Sequence, residues 1–416
     1  MDQSAIEVST TEFLGPRLAG LKRFAIGMGV VGLVLCALGL FLDPGLYPKD
    51  PTPFFHAYLY AYLFWMGATG GSLILLMIHH VVGGGWGYII RRFLEAATRL
   101  LPLMLVLFVP VIIGLLYFHL YSGTPDSPGW YGPQAAAIPA IAAKSKFLNV
   151  PLFLLRTGLY FIIWMVLAYF LNKWGAVLDR QHDIETFNRL NYLGSWGLII
   201  YALTGSFAAF DWVMSLTPTW YSTIFGLLFL VSQVLTGMAL MLVLFGWLAG
   251  DKPLTREVPR GYFRDLGNLL LTFIMLWAYM SFSQYLLTFT GDSTDEISWY
   301  IRRAHQGWGF ISLALIPIHF FLPFTVLLVG SGIKRDPLRL RWVAAYVIGM
   351  RLMDLWWWVT PTFRPRISLS ISDVGAPLLL GGIWLWMWAT QVKDEPLVPA
   401  HDPRIEGHML EVVEHG

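Results

Sequence analysis

Two aspartates stand where chemistry is expected. Asp211 and Asp354 each lie in an apolar run, and each precedes a Thr-Pro step by the same interval, Thr217-Pro218 in one case and Thr360-Pro361 in the other. A charge held inside a bilayer costs from about 3 kcal/mol upward, so an acid kept there points to an ion or proton pathway. A Thr-Pro step stops a helix just beyond the acid. The matched spacing suggests an internal duplication.

Their neighbours define what the acids could do. Arg351 and Asp354 are three residues apart and share a helix face. They form either an ion pair that neutralises both charges or a proton station whose acid is balanced between burial and its cation. Asp211, Arg156 and His119 would give one half of the chain an acid, a cation and a base. His319 is expected in mid-span, as a core histidine or a relay. All of these should face the helix bundles rather than lipid.

Other chemistries are poorly supported. Cys36 is the only cysteine, so the chain cannot hold an iron–sulfur cluster, a disulfide or a thiol-linked haem by itself. Transmembrane haem needs histidines at matched depth, and His119 and His319 are expected at different depths. His401, His408 and His415 recur every seven residues in the tail, but nothing in the sequence makes them converge, and no metal site is expected. The glycines of 83–87 lack the Lys-Ser/Thr of a phosphate loop.

These residues need apolar elements to position them. The chain has 416 residues, 56% hydrophobic and 13% charged, with a mean hydropathy of +0.60. Soluble chains carry about 25% charged residues. The fold class is therefore all-α, a polytopic membrane protein. A net charge of +2 gives no reason to expect nucleic acid. Residues 1–16 do not read as a signal peptide, because the first basic residues precede a full-length span.

Spans of about 20 apolar residues are expected at 24–42, 54–80, 99–121, 148–171, 193–213, 220–249, 266–289, 306–330, 341–361 and 374–391. Nineteen of the 28 Lys and Arg residues fall on the N-terminal side of these ten spans and seven on the other. The bias places both termini in the cytoplasm. Asp211 and Asp354 then lie on helices that run the same way. Spans two to five and six to nine would form two parallel-related four-helix bundles, with spans one and ten at the edge.

The expected organisation follows: a cytoplasmic segment at 1–23, a peripheral span at 24–53, and the first bundle at 54–219. The second bundle occupies 220–361, a peripheral span 362–391, and a cytoplasmic tail 392–416. The loop 122–147 could cover a partner on the outside. His79, His80, Arg91, Arg92 and Glu95 are expected around the loop between spans two and three, as interfacial anchors or a proton entry. The tryptophans at 356–358 and at 384, 386 and 388 are expected in an aromatic belt.

The stretch FDWVMSLTPTWYSTIFG (210–226) resembles a signature of the large membrane subunits of alternative complex III, in the polysulfide reductase membrane-subunit (NrfD-like) family. WGYIIRRFLEA (86–96), KFLNVPLFLLR (146–156), WAYMSFSQYLL (277–287) and ISWYIRR (297–303) agree in order. One segment departs: 290–296 reads TGDSTDE, where many relatives carry an Asn-Leu-Pro-Glu-like loop.

The resemblance implies a quinol:electron-acceptor oxidoreductase in the bacterial inner membrane. Expected partners are a sister NrfD-like membrane subunit, an iron–sulfur subunit, multihaem and monohaem cytochrome c subunits, small membrane subunits and lipids. Haem c and iron–sulfur clusters would sit in those partners, none in this chain, with quinol or menaquinol nearby. The expected role is scaffold and proton route through Asp211, His119, Arg156, Arg351, Asp354 and His319. Tyr285 and Gln284 are candidate relay or quinone contacts. Two alternatives remain: direct quinol binding, with His119 and Asp211 as proton acceptors, or a secondary transporter built on a parallel repeat.

Overall fold

The computed structural model describes residues 10–42, 52–124, 127–132, 135–180, 183–248, 260–291 and 293–392. The tail with His401, His408 and His415 lies outside them.

Helix α1 spans Thr10–Leu42, α2 Thr52–Val82, α3 Gly85–Thr98, α4 Leu101–Leu107 and α5 Val109–Tyr117. A short α6 (Pro139–Ala142) leads to α7 (Val150–Leu178), α8 (Ile184–Trp212) and α9 (Phe225–Leu248). Then come α10 (Arg260–Gly291), α11 (Thr294–Ala304), α12 (Trp308–Ala314), a π-helical segment (Leu315–Phe321) and α13 (Leu322–Val329). A short α14 (Ser331–Lys334), α15 (Pro337–Val359) and α16 (Ile371–Gln391) complete the order.

Eight helices among the described residues are long and apolar enough to cross a membrane, or nine if the bent pair α3 and α4–α5 counts as one. This is the pattern of an all-α, multi-pass membrane protein. A helix, α15, covers the expected ninth span. It carries Arg351 and Asp354 and is not among the eight.

The helices start where local chemistry starts them. Asn149 caps α7 by accepting from the Leu152 amide, and Asp183 caps α8 by accepting from Glu185. Ser370 and Asp373 form a reciprocal capping box on α16.

At the centre, α2 and α9 are buried along nearly their whole lengths. Small residues let them touch: a Cβ on Gly71 would lie 1.9 Å from the Gln233 carbonyl oxygen. Helices α8, α15 and α16 pack against this pair, and α10 joins at α9. At one edge α1 and α16 run together, where a Cβ on Gly32 would lie 2.2 Å from the Leu379 nitrogen.

Several expectations are corrected. Residues 85–98 form a helix, not a loop, bent by 40° from the helices that follow. Pro102 at the start of α4 explains the break, because it removes a backbone donor there. The loop before span eight contains α11, and the loop 122–147 contains a short hairpin pairing Thr124 with Ser127. Trp384 and Trp388 are fully buried, donating to the Thr69 hydroxyl at 2.9 Å and the Phe93 carbonyl at 3.1 Å. They are core residues, not a belt. Their indole N–H groups needed internal partners, and α2 and α3 supply them.

Candidate functional site

Asp211 lies in the last turn of α8 and is wholly buried. Arg156 of α7 grips it with both edges of its guanidinium: Nε donates to Oδ2 at 2.9 Å and Nη2 to Oδ1 at 2.6 Å. The Tyr160 hydroxyl, one turn further along α7, donates to Oδ2 at 2.7 Å. Arg156 also donates to the Phe147 carbonyl at 3.0 Å and lies over the Phe147 ring. This is the charge-assisted, bidentate geometry in which a buried carboxylate is fully satisfied.

The end of α8 is closed by donors. Ser215 donates to the Asp211 carbonyl, Tyr121 to the Trp212 carbonyl at 3.0 Å, and Lys144 to the Pro218 carbonyl at 2.6 Å. The Asp211 and Trp212 carbonyls at the end of the helix are thus met by side-chain hydroxyls, and Lys144 meets the chain just beyond it. Burial, with the Asp211 charge beside it, pushes the Tyr121 phenol above its ordinary range, which keeps it a donor.

Asp354 occupies a corresponding place near the end of α15 and is also buried. Arg351 pairs with it along the helix, and the Trp277 indole of α10 donates to Oδ2 at 3.1 Å. Arg351 reaches on to the Thr236 hydroxyl of α9 at 3.4 Å. The carbonyls closing α15, Trp357 and Trp358, accept from the buried Arg303 of α11, which stacks over Trp299 with its carbon 3.5 Å from the ring centre. A buried cation, Arg303 of α11, thus closes α15, whereas the last carbonyls of α8 are met by the neutral hydroxyls of Ser215 and Tyr121.

His319 completes the second centre. It is fully buried, its ring centre is 3.9 Å from that of Trp277, and neither nitrogen meets a hydrogen-bond partner among the described residues. It sits in the π-helical turn of Leu315–Phe321. Such turns are rare and often occur at functional sites.

Polar side chains lie between the two centres. Tyr201 of α8 donates to Gln233 Oε1 of α9 at 2.9 Å. Gln233 and Thr236 are three residues apart on α9, so they share a face, and Thr236 meets Arg351. From Asp211 the line runs through Tyr160 and past Trp164, whose ring lies 6.0 Å from that of Tyr160 and 5.2 Å from that of Tyr201. Tyr201, Gln233 and Thr236 were not expected from the sequence. The available signal was their polarity within apolar helices, which tyrosine, glutamine and threonine carry weakly.

Not every expected residue joins. His119 lies in the turn beyond α5 with a φ of 55°, exposed, its ring Nδ1 3.5 Å from the Ser122 hydroxyl. It does not face the bundle, because α5 ends at Tyr117, before His119 can be carried inward. Tyr285 is 47% exposed on α10, against Tyr300. Gln284 is buried, its Oε1 without a hydrogen-bond partner among the described residues.

The expected interfacial anchors are instead a buried network. Arg91 donates to Glu95 Oε1 at 2.8 Å and to the Gly175 carbonyl at 2.9 Å. Arg92 pairs with Glu95 at 2.7 Å, and both arginines meet Asp179 at the end of α7. His79 and His80 are buried beside them. Because 85–98 is helical, these charges turn into the protein and tie α3 to α7. Among the described residues, no group of three or more His, Cys, Asp or Glu is arranged to hold a metal.

Compared with protein-family models and with curated proteins, the chain matches none.

Proposed function

We propose that this chain is a membrane subunit of a quinol-oxidising respiratory complex of the alternative complex III type, serving as scaffold and proton-conducting subunit without a redox cofactor of its own. The observation that carries the proton role is the pair of buried acid–guanidinium centres, Asp211–Arg156 and Asp354–Arg351, with polar side chains between them. Ionisable groups at this depth mark pathways.

The membership in a complex rests on the motif at 210–226. That motif, the length and the ten-span reading favour the second of the two large membrane subunits. In this reading the termini are cytoplasmic and the membrane is the bacterial inner membrane. The two four-helix bundles are 54–219 and 220–361. Their support is the matched placement of a buried acid with its guanidinium near the end of α8 and near the end of α15. Quinol oxidised at the sister subunit releases protons, and electrons pass to the iron–sulfur and haem c subunits. Direct quinol binding here is less favoured, because His119 and Asp211 do not face one another.

Affinity purification through a tag on this chain tests the assignment. Haem c and iron should co-purify in fixed proportion to it. Recovery of the chain alone, with neither haem nor iron, would favour the transporter reading.

A further inference from the structure

The bend between α3 and α4 opens a groove against α7 of about 400 Å³. Its walls are apolar: Leu101 and Pro102 on one side, Met165, Ala168 and Tyr169 on the other. One end is different. Thr98, Arg99, Asn172 and Lys173 meet there, with Arg99 Nε donating to Asn172 Oδ1 at 2.9 Å and Asn172 donating to the Thr98 hydroxyl at 2.9 Å. Lys173 is exposed, lies over the Tyr169 ring at 5.6 Å, and has no carboxylate partner among the described residues.

We infer that this groove binds one anionic phospholipid, its phosphate between Arg99 and Lys173 and an acyl chain along the apolar walls. The charge is complementary: two cations, Arg99 and Lys173, stand at one end of a groove that is otherwise hydrocarbon-lined, and Asn172 holds Arg99 there. Basic pockets between transmembrane helices are sites of this kind. The apolar path also continues past the groove. Leu105 and Val106 of α4 and Ile162 and Val166 of α7 are exposed on the side away from the cations. A chain laid from the basic end would run along them.

The bound headgroup would do structural work. Asn172 and Arg99 already hold the end of α3 to α7, and Arg99 reaches the Gln391 carbonyl of α16 at 3.4 Å. A phosphate there would lock three helices at the point where the third span is broken.

The test uses the purified full-length chain in phosphatidylcholine vesicles, exposed in turn to photoreactive phosphatidylglycerol, photoreactive phosphatidylcholine and a photoreactive quinone. Peptide mapping should find phosphatidylglycerol attached within 98–106 and 162–173, well above phosphatidylcholine. Arg99→Gln and Lys173→Gln should each lower that preference about fivefold. Ala168→Trp, which fills the groove without touching a charge, should remove the labelling while the vesicle-bound chain keeps its thermal transition. Equal labelling by both phospholipids, preferential labelling by the quinone, or indifference to all three substitutions would overturn the assignment.

Discussion

Arg156 of α7 holds Asp211 of α8 by two nearly parallel bonds, of 2.9 and 2.6 Å, at the end of a helix built from apolar residues. Arg351 and Asp354 repeat the pairing within α15. The two differ in access. Arg156 keeps 17% of its side chain exposed, whereas Arg351 and Asp354 are almost completely enclosed. The first centre touches the surroundings, and the second is enclosed by Thr236 and Trp277, with His319 packed on the Trp277 ring.

Removing one partner of a buried ion pair costs about 3–5 kcal/mol, because the other charge is left without compensation. Arg156→Gln should therefore destabilise the chain severely. Asp211→Asn should cost less, since Arg156 retains the Phe147 carbonyl and some solvent. The double substitution Arg156→Gln with Asp211→Asn should be more stable than Arg156→Gln alone. Thermal unfolding of the four forms, read as a double-mutant cycle, checks this.

His319 is buried without a partner for either nitrogen among the described residues. A residue kept for packing alone should tolerate an apolar replacement of similar size, because no hydrogen bond is lost. His319→Phe is expected to assemble with an unchanged thermal transition and to lower proton movement. Normal proton movement in the assembled variant would make His319 a core residue.

The approach of α2 to α9 leaves no room at Gly71. Gly71→Ala must push the Gln233 carbonyl away and should cost about 1–3 kcal/mol as overpacking. It should also disturb the Tyr201–Gln233 bond, whereas Gly158→Ala, which meets nothing within 4 Å, should be silent. Comparing the melting of the two variants tests whether the central seam governs stability.

Tyr201→Phe breaks the polar line by one hydroxyl while keeping the ring against Trp164. It leaves Gln233 short of a donor in a buried setting, at a cost of about 1–3 kcal/mol. Proton movement should fall with little change in quinol oxidation by the assembled complex. A parallel fall in both would assign Tyr201 to structure instead.

Composition and hydrophobic run length made the all-α membrane architecture legible, because a bilayer demands long apolar helices. The guanidinium beside Asp211 was legible too, since Arg156 and Asp211 were expected in the same half of the chain on adjacent spans. What one-dimensional reading missed were the breaks. Pro102 and the π-helical turn at Leu315–Phe321 interrupt two spans, and the end of α5 leaves His119 outside. Asp179 escaped notice as the partner of Arg91 and Arg92, because only the helical course of 85–98 carries those arginines back to α7. Trp384 and Trp388 read as a belt since their partners, Thr69 and Phe93, are some 300 residues away in sequence.

In the proposed function the enclosed acid, Asp354, carries protons. The direct measurement is the number of protons moved per electron by the intact complex in sealed vesicles, with Asp354→Asn against the unaltered chain. Complexes that retain their full haem content should still oxidise quinol but move fewer protons per electron. An unchanged ratio in the Asp354→Asn complex would contradict the account.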